Sequence, residues 1–293
     1  MLTGAMLIFG TIGIFRRDMP IPSELIAFFR GAVGCVFLSA VSALRKGSAG
    51  KEKLAPKMTA KLIISGVVLG VNWILLFEAY NYTAVSAATL CYYMAPVFVL
   101  LLSVLILRER LTPVKTICML LSLAGMVLVS GFAENGLPQK GELKGLLFGL
   151  GAAAFYAGLV LLNKSISGID PFRKTMIQLG SAAAVMLPYL IAAGSFGKAE
   201  WSTHTVVMLI IMGVVHTGIS YALYFGSMDA LSTQTVALFS YIDPVTALVL
   251  SALLLNERMT VYGIIGALLI LGSAAFCELF DRSGGKDSAE DTA

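Results

Sequence analysis

Three ionisable side chains stand inside long apolar runs: Arg30, His216 and Asp243. A fourth, Glu78, lies about one turn from the end of its run. An ionised group at membrane depth is costly without a partner or water, so each is a functional candidate. Arg30, about two turns in, has the chemistry to hold a solute carboxylate. It has equally the chemistry to lock a backbone carbonyl or Glu78. Asp243 sits near the middle of its run and directly precedes Pro244. Its charge would respond to changing water access or to a bound cation, which makes it the candidate proton-coupling group, with His216 next. The competing reading makes both structural. In that reading Asp243 is permanently bonded to His216, Tyr241 or a displaced backbone group, and His216 joins two helices.

Aromatic residues gather at similar depths: Trp73, Tyr92, Tyr93, Tyr156, Tyr221, Tyr224 and Tyr241. Belt aromatics sit at the membrane surfaces. Several of these lie deeper, where they would line a cavity able to hold an apolar or aromatic group, or serve helix packing. Asn72 and Asn163 would make such a site mixed. The expected solute-binding set is therefore Arg30, Asn72, Trp73, Tyr92, Tyr93, Tyr156, Tyr221 and Tyr241. Covalent chemistry has little to work with. The two histidines and four cysteines fall at no metal spacing. The three Gly-Lys pairs, at Lys51, Lys198 and Lys286, are followed by Glu, Ala and Asp, so no phosphate loop exists. No cofactor or metal is expected.

The elements that must position these residues are duplicated. LCYYMAPVFVLLLSVLILRERLT, from Leu90 to Thr112, returns without a gap as LFSYIDPVTALVLSALLLNERMT, from Leu238 to Thr260. Tyr93 falls on Tyr241, Pro96 on Pro244 and Thr112 on Thr260. A proline removes one helix hydrogen bond and pushes aside the carbonyl four residues back, here those of Tyr92 and Ser240. In a membrane such carbonyls need a partner or a wet cavity. Pro96 and Pro244 are thus candidate hinges beside the site, the alternative being packing kinks. Glu109-Arg110 and Glu257-Arg258 read as solvated interfacial turns. Thr112 reads as a helix N-cap with Pro113 at the first helical position.

The whole chain is built from such runs. Its 293 residues are 58% hydrophobic and 13% charged, with a net charge of +4, against roughly 25% charged in soluble domains. The fold class is all-α integral membrane, with ten transmembrane helices expected at 2–16, 23–44, 60–81, 84–107, 113–131, 143–163, 172–193, 204–227, 232–255 and 261–280. The first is short, rising only ~21 Å over Leu2–Phe15. Snorkelling by Arg16 and Arg17 or a start lacking a few residues would explain that. It lacks a basic n-region and an A-x-A site, so it reads as a span and not as a signal peptide. With both termini placed inside, fourteen Lys and Arg fall in inner loops and six in outer loops, as the positive-inside rule favours.

The register of the repeat extends upstream, with Arg30 on Gln178, Gly70 on Gly218 and Trp73 on Tyr221. Five spans per half is an odd number, so the second copy is inverted. The expected division is a first repeat at 1–131, a linker at 132–142, a second repeat at 143–281 and a disordered cytoplasmic tail at 282–293. The cavity is expected mainly from the first, third, fourth, sixth, eighth and ninth spans.

The segments FEAYNYTAVSAATL (Phe77–Leu90), LRERLTP, LNERMTV and ELIAFFRG around Arg30, with the two proline helices, resemble the drug/metabolite transporter superfamily of the EamA type. That resemblance covers essentially the whole chain. It implies ten helices in two inverted halves, termini inside, a central cavity and export of small metabolites such as amino acids. It also implies that an arginine is common at position 30 and an acidic residue just before the second proline. The expected function is a secondary transporter working by alternating access, in the plasma (inner) membrane of a cell, and not an enzyme. A membrane-embedded enzyme or a multispan receptor-like protein is the alternative. The expected partners are a small-molecule solute and the lipid bilayer, with a homodimer as a further candidate assembly and no nucleic acid.

Overall fold

The structure, a computed structural model, describes residues 1–16, 19–44, 54–83, 85–108, 112–129, 143–254 and 260–290. Among the described residues every regular element is a helix. In chain order these are α1 (Leu2–Gly10), α2 (Ile12–Arg16), α3 (Ser23–Leu44), α4 (Pro56–Tyr82), α5 (Val85–Tyr92), α6 (Ala95–Leu107) and α7 (Pro113–Val129). The second half holds α8 (Leu143–Lys164), α9 (Pro171–Ala192), a short 3-10 helix Ser195–Lys198, α10 (Thr203–Ile211), a π-helical segment Met212–Ile219 and α11 (Ser220–Ser227). It ends with α12 (Thr233–Phe239), α13 (Ile242–Leu254) and α14 (Val261–Glu290).

Five of these helical runs are long and apolar enough to cross a membrane: α3, α4, α8, α9 and the continuous run Thr203–Ser227. The other expected spans are shorter or interrupted. The first is split at Thr11, the fourth at Tyr93–Met94 and the ninth at Ser240–Tyr241. The last helix is continuous to Glu290, past residue 282 where the tail is expected to begin. The expected linker at 132–142, the pairs Glu109-Arg110 and Glu257-Arg258, and most of the basic loop before α4 lie outside the described residues.

Local sequence sets the helix starts. Thr112 Oγ1 accepts the Lys115 N–H, and its repeat mate Thr260 Oγ1 accepts that of Gly263. Asp170, Ser202 and Ser232 cap α9, α10 and α12 in the same way. Each cap satisfies a backbone donor that a helix start leaves open.

The breaks in the fourth and ninth spans follow from the prolines. Pro96 is the second residue of α6 and Pro244 the third of α13, positions where a missing N–H costs nothing within the new helix. The turn before each tightens. The Met94 N–H reaches Cys91 O at 3.1 Å, and the Tyr241 N–H reaches Leu238 O at 3.3 Å.

Packing joins the halves to each other. Helix α4 lies against α8 and α9, α3 against α9 and the π segment, and α7 against α14. Helix α1 lies against α11 and α13, α5 and α6 against α8, and α6 against α12. Small residues bring several backbones together, as membrane bundles require in place of a hydrophobic driving force. A Cβ added at Gly34 would stand 3.0 Å from Gly213 O and 3.2 Å from Gly218 N. One added at Gly70 would stand 2.8 Å from Ala182 O. The two contacts are related by the repeat, since Gly70 matches Gly218 and Gly34 matches Ala182. At the α7–α14 crossing, Ser122 and Ser273 share a 2.6 Å hydrogen bond.

The end of the molecule formed by Lys164, Lys174 and the turn 228–231 is clasped. Lys164 Nζ donates to Met228 O at 2.8 Å and to Leu231 O at 2.5 Å. Lys174, 1% exposed, donates to Ile166 O at 2.9 Å and Asn163 O at 3.3 Å, and stands 3.6 Å from Asp229. Behind it, Gln178 Nε2 donates to Ser65 Oγ and Asn163 Oδ1 at 2.9 and 2.8 Å.

Candidate functional site

Between the two breaks lies a cavity of about 230 Å³. Its walls include Tyr92, Tyr93, Ala95 and Pro96 from the first break, and Ser240, Tyr241 and Asp243 from the second. Met6, Phe9 and Ile12 line it from the first span, Trp73, Leu76 and Phe77 from α4, Tyr156 from α8, and Tyr221 and Tyr224 from α11. Ala27 and Arg30 of α3 complete it. All six expected spans contribute. The second span was not among them, although Arg30 itself was expected at the site. The cavity is smaller than the ~300–1,000 Å³ usual for drug-sized ligands, which suits a small metabolite.

The aromatic walls hold each other in place. Tyr221 meets Phe9 and Trp73 edge-on at 5.1 and 6.2 Å between centroids, and Phe225 at a tilt at 5.3 Å. Tyr92 meets Tyr156 edge-on at 5.9 Å. The hydroxyls of Tyr156 and Tyr224 are hydrogen-bonded, and Ser240 Oγ lies 3.5 Å from that of Tyr156. Interlocked edge-to-face rings fix rotamers, so the cavity has defined apolar walls and a hydroxyl-bearing patch.

Two opposite charges face this space. The Arg30 guanidinium sits 5.9 Å from the Trp73 ring centroid and donates through Nε to Thr217 Oγ1 at 3.1 Å. Among the described residues neither Glu78 nor a backbone carbonyl, the two locks considered as the alternative to a solute, is hydrogen-bonded to it. Glu78 instead accepts from the Tyr189 hydroxyl at 2.7 Å and from Asn81. Asp243 forms no described hydrogen bond or ion pair. The permanent partners considered for it are engaged elsewhere: Tyr241 donates to Tyr93 O at 3.1 Å, and His216 pairs with Thr11 at 2.7 Å. The site therefore sets the Arg30 guanidinium and the Asp243 carboxyl group against one cavity, with no ion pair described between them.

Three expected residues stand elsewhere. Asn72 is fully buried and donates to Ala152 O at 2.6 Å. It neighbours Trp73 on one helix, and successive residues point about 100° apart. With Trp73 turned to the cavity, Asn72 turns into the α8 packing. His216 lies behind the wall, edge-on to Phe15 at 4.7 Å between centroids. Thr11 Oγ1 also reaches Ile8 O at 2.7 Å, and the histidine tautomer sets which group donates in the Thr11–His216 contact. The His216 Nδ1 is buried without a partner. Pro244 shapes its break without lining the cavity, whereas Pro96 does both. Met6, Phe9, Ala27, Leu76 and Phe77 went unnoticed in the sequence because an apolar residue facing a cavity and one facing a helix read alike. Tyr224 was noticed as a deep aromatic but left out of the binding set.

Comparison with known proteins places this geometry. Residues 1–131 and 143–278 match the model of the EamA-like transporter family. Over 290 residues, 98% of this chain and 91% of the other, the sequence is 31% identical to the uncharacterized transporter YxxF of Bacillus subtilis (strain 168). It is 25% identical to the protein RarD of Salmonella typhi over 69% of this chain and 66% of that one. A solved crystal structure, 19% identical, superposes with a TM-score of 0.82 over 96% of both chains, which shows a common fold.

Proposed function

The chain belongs to the EamA-like transporter family, and from that premise we propose that it is a secondary transporter which exports amino acids or similar small metabolites by alternating access. The carrying observation is the position of the cavity: both proline breaks line it, and Arg30 and Asp243 face it with no ion pair described between them. A zwitterion meets both charges at once, its carboxylate at Arg30 and its ammonium at Asp243. The aromatic walls take the side chain.

The reading includes ten spans in two inverted five-helix repeats in the inner membrane, with both termini cytoplasmic. Packing supports a two-fold relation between the halves, and an odd number of spans per half makes that relation an inversion. Exchanging each span with the one five places on turns the third–sixth, third–seventh and fourth–sixth contacts into the eighth–first, eighth–second and ninth–first contacts. The second–seventh, fourth–ninth and fifth–tenth contacts map onto themselves. Such a scaffold has two near-equivalent shapes, one open to each side. Asp243 is the coupling group in this reading, because it lies at a break and changes surroundings as the break moves.

The test is solute flux in proteoliposomes with and without an imposed pH gradient, for wild type and Asp243→Asn, using a labelled amino-acid mixture. Wild-type flux that follows the gradient, with a response lost in Asp243→Asn, supports the reading. Wild-type flux that ignores the gradient ends proton coupling. A response kept in Asp243→Asn moves the proton elsewhere, with His216 next. Chemical change of the solute would show an embedded enzyme.

A further inference from the structure

The Arg30–Thr217 contact reaches further than a hydrogen bond between helices. Arginine has five N–H donors and no acceptor, so the threonine oxygen must accept. Thr217 sends its own proton to Met212 O at 3.0 Å, five residues back. Ser220 does the same to Val215 O at 2.9 Å. These two hydroxyls reach carbonyls at the π-helical interval, one residue beyond the usual helical spacing. The π segment thereby turns a buried Thr217 lone pair toward α3, where Gly34 and Gly213 let the backbones come close.

A guanidinium can grip a carboxylate through two forks, one including Nε and one made of the two terminal nitrogens. Thr217 occupies Nε. No described hydrogen bond uses the terminal pair, and the Trp73 ring lies beside the guanidinium. We propose that Thr217 is the positioning residue for solute recognition: it blocks the side fork of Arg30 and presents the end fork to the solute's carboxylate. This inference rests on the amino-acid reading above. It assigns specificity to a residue that itself lies behind the cavity wall.

The experiment measures concentration-dependent flux of a labelled amino-acid mixture in proteoliposomes for wild type, Arg30→Gln, Thr217→Val and Thr217→Ser. Thr217→Val is expected to raise the half-saturating concentration about tenfold, the scale of one charge-assisted hydrogen bond, while maximal flux is kept. Thr217→Ser, which keeps the hydroxyl, is expected to stay near wild type. Thr217→Val that leaves half-saturation unchanged while Arg30→Gln raises it overturns the inference and leaves the amino-acid reading standing. Thr217→Val that lowers maximal flux at unchanged half-saturation makes Thr217 merely structural and also overturns it. Unimpaired Arg30→Gln removes the carboxylate site, and no wild-type flux removes the amino-acid reading itself; the inference falls with either.

Discussion

The Tyr241 hydroxyl donates to the Tyr93 carbonyl at 3.1 Å across 148 residues, which is the offset of the sequence repeat. Two residues at matched positions in the two halves thus touch, one through its side chain and the other through its backbone. The side chain of one break satisfies a carbonyl at the other, where the helix no longer supplies a donor of its own.

Removing that hydroxyl should loosen the junction. Tyr241→Phe is expected to remain folded but to lose about 1 kcal/mol of stability, the usual net worth of an internal hydrogen bond. Tyr93→Phe leaves the same bond intact, because only its backbone takes part, and so provides the control. Thermal unfolding of the purified proteins compares the two; equal midpoints would remove any special role for the contact.

Pro96→Ala and Pro244→Ala each restore an N–H that can reach the carbonyl four residues back, at Tyr92 or Ser240. Both variants are expected to insert and fold, with impaired flux, because straightened breaks no longer shape the cavity. Transport at wild-type rates in both would reduce the prolines to packing features.

The glycine contacts make a paired prediction. Gly70→Ala places a methyl 2.8 Å from Ala182 O and should destabilise by about 1–3 kcal/mol, as overpacking does. Gly158→Ala, with nothing within 4 Å, should be tolerated. Yield and thermal midpoint of the two purified variants are the readouts.

Lys174 holds two backbone carbonyls and faces Asp229 while only 1% exposed. Lys174→Met should cost about 1–3 kcal/mol, because the carbonyls of Asn163 and Ile166 lose their donor in a buried setting. Asp229→Asn should cost less, since Asp229 is 36% exposed and water replaces the lost partner. Equal losses in the two thermal midpoints would show the ion pair, and not the carbonyls, to matter.

For topology, single cysteines placed at Ser48 and Ser288 should resist membrane-impermeant thiol reagents in intact cells and react after lysis. Labelling of both from outside would reverse the orientation drawn from the loop charges.

The sequence showed the breaks plainly because a proline in an apolar helix has few other uses, and finding it twice in register fixed the pairing of Tyr93 with Tyr241. The same register carried Arg30 onto Gln178, which marked Arg30 as asymmetric and worth following. Its partner was not legible. Thr217 is an ordinary small polar residue in an apolar run, and nothing in its neighbours' spacing announces the π segment that turns it toward Arg30. The contact of Asn72 with Ala152 was not legible, because depth along a helix is readable from sequence, whereas the face is not when both faces are buried. The contribution of the first span, through Met6 and Phe9, was legible only as a span number, since that helix aligns weakly with its repeat mate.

Arg30 and Asp243 face one cavity without an ion pair described between them, and in the proposed cycle this has a kinetic consequence. Closing the cavity around a bound zwitterion compensates both charges with the solute's own. Closing it empty leaves Asp243 without the solute's ammonium, and in the proposed coupling a proton takes that place and neutralises the carboxylate. The return of the unloaded carrier is then the half of the cycle that needs the proton. Net efflux should slow as the pH on the far side rises, while exchange against far-side solute continues.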